Sequence, residues 1–116
     1  YISEAGHLEF AYSARAGQAL HMAFAVPVGQ AFGFLCGSPA AIGLVMADRA
    51  MKAAAVKIVK YMTPSIGTSH SNEVILAVTG DASAVKEAVL TARQVGLELL
   101  ISMGSYPEIP GTPFLE

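Results

Sequence analysis

Along this chain the spacing of hydrophobic residues switches between two and about 3.6, and each switch predicts an element. Leu8, Phe10 and Tyr12 alternate with His7, Glu9 and Ala11, the period of a half-buried strand over residues 7–13. Over residues 15–24, Ala16, Ala19, Leu20 and Ala23 fall at helical spacing, so a short helix is expected there, ended by Pro27 and Gly29. Residues 31–36 read as a second strand, in which Gly33 signals a bend or a close backbone approach. Gly37-Ser38-Pro39 then turns the chain, with Ser38 as N-cap and Pro39 in the first helical position. The helix that follows runs to about Ala54 and carries the stripe Ile42, Val45, Met46, Ala50 and Ala53. Asp48 and Lys52 form an i,i+4 pair in the favourable order on it. A third strand is expected over residues 56–61, and residues 63–71 form a polar loop without either period. Residues 73–79 are almost continuously apolar, the pattern of a strand covered on both faces. Gly80-Asp81 turns into a last helix bearing Val85, Ala88, Val89, Ala92 and Val95, with Asp81 as N-cap and Gly96 tolerated near its end. Residues 97–102 extend that helix or add a short strand. From Gly104 onward, three prolines and two glycines predict a tail.

The resulting order, βα-βα-ββα, is that of an α+β sandwich of ferredoxin-like type, one sheet with helices packed on it. There is no internal repeat and no low-complexity run. The chain's 116 residues suffice for one core, but 53% are hydrophobic and only 14% charged. That much apolar surface is most simply hidden in a homo-oligomer. A net charge of -2 without any Lys/Arg run makes nucleic acid and anionic membrane poor partners. No stretch reaches the length of a membrane span or reads as a signal peptide. The chain starts at Tyr1, so a fragment or a processed product is expected.

Candidate chemistry is sparse. His7, His21 and His70 are not set at metal-ligand spacing with other ligands, beyond a weak His7/Glu9 alternation, so no metal site is expected. Cys36, the single cysteine, closes an apolar strand and reads as a buried, inert thiol that cannot form an intrachain disulfide. Residues 37–43 look superficially like a phosphate loop, yet they lack the Gly-Lys-Ser/Thr ending and Pro39 removes an N–H donor. Asp48 and Glu87 are single carboxylates on solvated helix faces. No acid/base pair or nucleophile constellation emerges, so an enzyme is the least favoured reading. The polar loop is the better candidate: Gly67, Thr68, Ser69, His70, Ser71 and Asn72 offer small polar groups that symmetry-related copies could bring around a hole. Lys52 reads either as a plain surface lysine near a helix C-terminus or as an edge residue reaching a neighbouring subunit.

The run GFLCGSPAAIGLVMADRAMKAAAVKIVKY resembles the strand-helix-strand of bacterial microcompartment shell domains, through Ala47, Asp48, Ala50, Lys52, Ala53, Ala54, Val56, Val59 and Tyr61. VILAVTGDASAVKEAV is similar to the second half of such domains, with Gly80, Asp81, Ala84 and Val85 in matching places. The acidic residue common after the family's first strand is replaced by Cys36-Gly37. The strand and helix at residues 5–24 precede the domain instead of following it, which resembles the circularly permuted tandem-domain shell proteins of propanediol, ethanol and ethanolamine utilisation. The resemblance implies a permuted shell domain over residues 1–104, the second of a tandem, with a tail at 105–116. It implies a non-enzymatic tile without a cofactor, located in a microcompartment shell in the bacterial cytoplasm. Trimers or pseudo-hexamers of it would pack with each other and with other shell proteins, passing small polar metabolites. It further implies that Lys52 contacts the neighbouring tile, that Gly67 to Asn72 lie near the pore, and that Arg15, beside the permuted strand, sits at an interface. The alternative, from the same fold and composition, is a regulatory domain that binds a small molecule between subunits.

Overall fold

A computed structural model describes residues 6–63 and 72–103. The elements follow the expected order: β1 (His7–Ser13), α1 (Gln18–Phe24), β2 (Ala31–Ser38), α2 (Ala40–Ala53), β3 (Lys57–Met62), β4 (Val74–Gly80) and α3 (Ala82–Ser102). The strands make one antiparallel sheet in the order β1-β2-β4-β3. This places the almost wholly apolar β4 inside the sheet and leaves β3 at an edge, where Ile58, Tyr61 and Met62 are exposed.

Side-chain alternation divides the sheet into two faces. Leu8, Phe10 and Tyr12 of β1, Leu35 of β2, and Val74, Leu76 and Val78 of β4 pack under α2 and α3 in the main core, around Met46, Val85, Val89 and Leu100. The opposite face carries a smaller cluster of Ala16, Val26, Phe32 and Ala77, over which Leu20 and Phe24 of α1 lie. Between the helical layer and the sheet the backbones approach closely. A Cβ on Gly37 would sit 2.8 Å from the Gly43 Cα, and one on Gly43 would sit 2.6 Å from the Gly37 carbonyl oxygen. Gly33 is likewise a close-approach position, because a Cβ there would meet Val85 and Val89 at 2.8 Å. Gly96 is no mere tolerated glycine, since it lies against Met46 and Leu8.

Several details differ from the sequence expectation. The first helix begins at Gln18, not residue 15. The Ala16 N–H donates to the Gln30 carbonyl at 2.6 Å and the Ala16 carbonyl accepts from Gly29, which holds Ala16 in a buried, non-helical stretch. Ala19 and Ala23 are consequently exposed, and Leu20 and Phe24 form the packed side of α1. Ser38 belongs to β2 and Pro39 is the N-cap of α2, with no side-chain capping bond of its own. Asn72 does that work instead: its Oδ1 accepts the Ala40 N–H at 3.2 Å. On α2 the buried stripe is Ile42, Gly43, Met46, Ala47 and Ala50, while Val45 and Ala53 are exposed. Asp81 occupies the N-cap of α3 but caps with backbone only, its carbonyl accepting from Val85. Residues 97–102 continue α3 as helix, and Val95 is half-buried.

Candidate functional site

Lys52 lies in the last turn of α2, exposed, with its Nζ 2.8 Å from Asp48 Oδ2. Asp48 in turn lines a shallow cleft of about 180 Å³ between α2 and the edge of the sheet, with Ala47, Met51, Ile58, Tyr61 and Leu76. The cleft is open, mostly apolar, and rimmed by this ion pair. Leu44 and Val45 add further exposed apolar surface on α2. Of the residues assigned to the loop, Gly67, Thr68, Ser69, His70 and Ser71 lie outside the described residues. Asn72 is described, exposed, and holds the start of α2 through the bond to Ala40. Arg15 is exposed in the segment before α1. His21 sits on α1 with its Nδ1 2.9 Å from the Val26 carbonyl, as a helix-rim histidine would.

A second constellation is absent from the sequence reading. His7, Cys36 and Glu73 are 29 and 37 positions apart, yet the strand register brings them together on the face opposite α2 and α3. His7 is paired with Ser38, so it is the diagonal neighbour of Cys36; Gly37 is paired with Val74, which puts Glu73 diagonal to Cys36 from the other side. Diagonal neighbours on one sheet face are within reach of long side chains. The Cys36 thiol donates to Glu73 Oε2 at 3.3 Å, and His7 Nε2 is 3.4 Å from the same oxygen. One ligand atom from each of the three lies within 4.8 Å of the other two. Cys36 is buried, as expected, but not without a polar partner. Burial, the hydrogen bond to Glu73, and the Glu73 and Glu9 charges push the thiol up to about 12. No periodicity marks this set: Cys36 shares its side of β2 with Phe32 and Phe34, Glu73 lies one residue before β4, and only the strand order brings both to His7.

Comparison with known proteins bears on the fold and the family. A family model described as the BMC domain matches residues 31–109, from β2 to beyond α3. The chain belongs to the BMC domain family. It is 49% identical over 108 residues to the bacterial microcompartment shell protein PduB of Citrobacter freundii, a match covering 93% of this chain and 40% of that protein. The chain therefore spans less than half the length of the curated relatives it matches. Among solved structures it is similar to EtuB from Clostridium kluyveri, with a TM-score of 0.88 and 42% identity over 97% of this chain and 50% of that one. It is also similar to a trimeric shell protein PduB, with a TM-score of 0.84 and 45% identity over 96% of this chain and 49% of that one. The open antiparallel sheet with three helices is thus the BMC-domain fold, α+β as expected. No helix among the described residues is long and apolar enough to cross a membrane.

Proposed function

We propose that this chain is a non-enzymatic structural unit of a bacterial microcompartment shell, working as a self-associating tile through which small polar metabolites pass. The observation that carries this reading is its 49% identity to the shell protein PduB across 93% of its length. β1 and α1 precede the segment matched by the family model, which supports a circularly permuted domain at residues 1–104, the second of a tandem, followed by a tail. The exposed apolar cleft at the β3 edge supports lateral burial against another copy or another shell protein. Lys52 stands at the rim of that cleft, where it would hydrogen-bond across a tile boundary. Gly67 to Asn72 would surround the pore. The similarity to shell proteins favours this reading over a ligand-sensing regulatory domain.

The test is assembly. Sheets or hexagonally spaced arrays are expected by negative-stain electron microscopy of the chain, alone and within its longer relatives' architecture. Lys52→Ala should abolish or shrink the arrays while the circular dichroism spectrum and melting temperature stay unchanged. An exposed i,i+4 ion pair contributes only about 0.3–0.5 kcal/mol, too little to unfold the domain. Arrays that persist undiminished in the variant would remove Lys52 from the edge. Discrete dimers of the parent chain under all conditions would remove the tile.

A further inference from the structure

The cluster at His7, Cys36 and Glu73 has no part in the shell role just described, and its donor set is unlike an ordinary surface ion pair. An imidazole, a thiol and a carboxylate, one from each of three neighbouring strand regions, face a common point. We propose that these three side chains form a binding site for a zinc-type divalent cation, with the fourth coordination position open.

The geometry carries this. In a tetrahedral zinc site the ligand bonds are about 2.0–2.3 Å, so ligand atoms stand roughly 3.3–3.6 Å from one another. Two separations here already have that length, Cys36 Sγ to Glu73 Oε2 at 3.3 Å and His7 Nε2 to the same oxygen at 3.4 Å. No donor separation in the cluster exceeds 4.8 Å. A triangle that small has a point within about 2.8 Å of every corner, so each ligand closes on the ion by about half an ångström to bond it. Side-chain rotation suffices for that, because His7 and Glu73 are each about one-third exposed. The sheet fixes the rest: Cys36 sits in a central strand with its neighbours on both sides paired in register.

The chemistry fits the same class of ion. Thiolate with imidazole and carboxylate suits zinc and excludes magnesium and calcium, which take oxygen ligands. Binding replaces the thiol proton by the metal, and that proton leaves to solvent. The resulting thiolate and the Glu73 carboxylate together match the two charges of a divalent cation. Three protein ligands, not four, leave one position for water, a small solute or a group from a neighbouring copy.

Cobalt(II) is the probe, added under reducing, oxygen-free conditions to the chain freed of metal by a chelator. Cys36 is the sole cysteine of the chain, so a thiolate-to-cobalt charge-transfer band reports this site and no other. One equivalent of cobalt is expected to bind with that band and with tetrahedral visible bands, and zinc should displace it while magnesium does not. Cys36→Ser should abolish the band. His7→Ala and Glu73→Gln should each weaken binding at least tenfold, and His21→Ala, on the far part of this face, should change nothing. Cobalt that binds without the charge-transfer band, or no cobalt bound at stoichiometric amounts, overturns the proposal. So does unchanged affinity in both His7→Ala and Glu73→Gln. The parent spectrum decides the matter even where a variant fails to fold.

Discussion

Replacing Gly43 by alanine is the sharpest test of how the helical layer is held on the sheet. A Cβ at this position would lie 2.6 Å from the Gly37 carbonyl oxygen and 2.7 Å from the Val74 Cβ. Ordinary contacts begin at 3.4 Å, so α2 must retreat by roughly 0.7 Å or the two strands must give. Neither obstructing atom is the end of a flexible side chain; one is backbone and the other is fixed to it. Overpacking of this kind costs about 1–3 kcal/mol, and the lack of any rotamer escape puts it at the upper end. Against this, alanine is favoured over glycine in a helix interior by about 1 kcal/mol. The net expectation is a loss of about 2 kcal/mol. At about 4 °C per kcal/mol for a domain of this size, that is a fall in Tm of about 8 °C, read by calorimetry or by circular dichroism. Val74→Ala keeps the Cβ and should not rescue it. A Tm of Gly43→Ala at or above the parent's would refute the reasoning, because helix propensity would then outweigh a contact argued to be incompressible. Rescue by Val74→Ala would also refute it, by showing that the clash is with the γ-carbons and not with the backbone.

Further outcomes follow from buried polar groups. Thr79 is only 2% exposed and its hydroxyl donates to the Ala31 carbonyl at 2.7 Å, so Thr79→Val should cost about 1 kcal/mol, measured by urea unfolding; a neutral result would mean that the bond contributes nothing net. The Cys36 thiol is raised from 9.0 to about 12, which favours the protonated form in the folded chain. At pH 8 its thiolate fraction should therefore be about a thousandfold below that of the unfolded chain, and it should climb as pH rises towards 12. Iodoacetamide labelling followed by mass spectrometry, with chelator present, should be slow in the native protein and fast in denaturant. Native labelling within tenfold of the denatured rate would contradict the environment assigned to this thiol.

The element types and their order were legible because each rests on local periodicity. β1 was readable to the residue from Leu8, Phe10 and Tyr12, and the interior position of β4 from its unbroken apolar run. The failures are where a tertiary contact overrides a local rule. Ala16 looks helical in spacing, yet hydrogen bonds with Gln30 and Gly29 hold it out of α1. Ser38 has the chemistry of an N-cap, yet it pairs with His7 as a strand residue and leaves the cap to Asn72, 34 positions away in the chain. Val45 falls on the predicted stripe of α2 but faces outward, because close contact at Gly37 and Gly43 rotates the small residues inward. The His7, Cys36 and Glu73 set could not be read from spacing at all, since only cross-strand register defines it.

The edge cleft and the three-residue cluster lie on opposite faces of the sheet, and this separates the two proposals. Met51 and Ala47 border the cleft from the helical layer, on the side of Leu76. His7, Cys36 and Glu73 have the opposite parity to Leu8, Leu35 and Val74, which are core residues beneath that layer. Lys52→Ala should therefore destroy lateral assembly and leave the cobalt band intact. Cys36→Ser should destroy the band and leave the arrays intact. If each variant loses both properties, the faces are not independent and a bound ion supports the assembled state. Zinc should then raise the yield of arrays from the parent chain and have no effect on Cys36→Ser. If zinc leaves array yield unchanged in the parent, the metal site and the tile edge are separate features carried by one sheet.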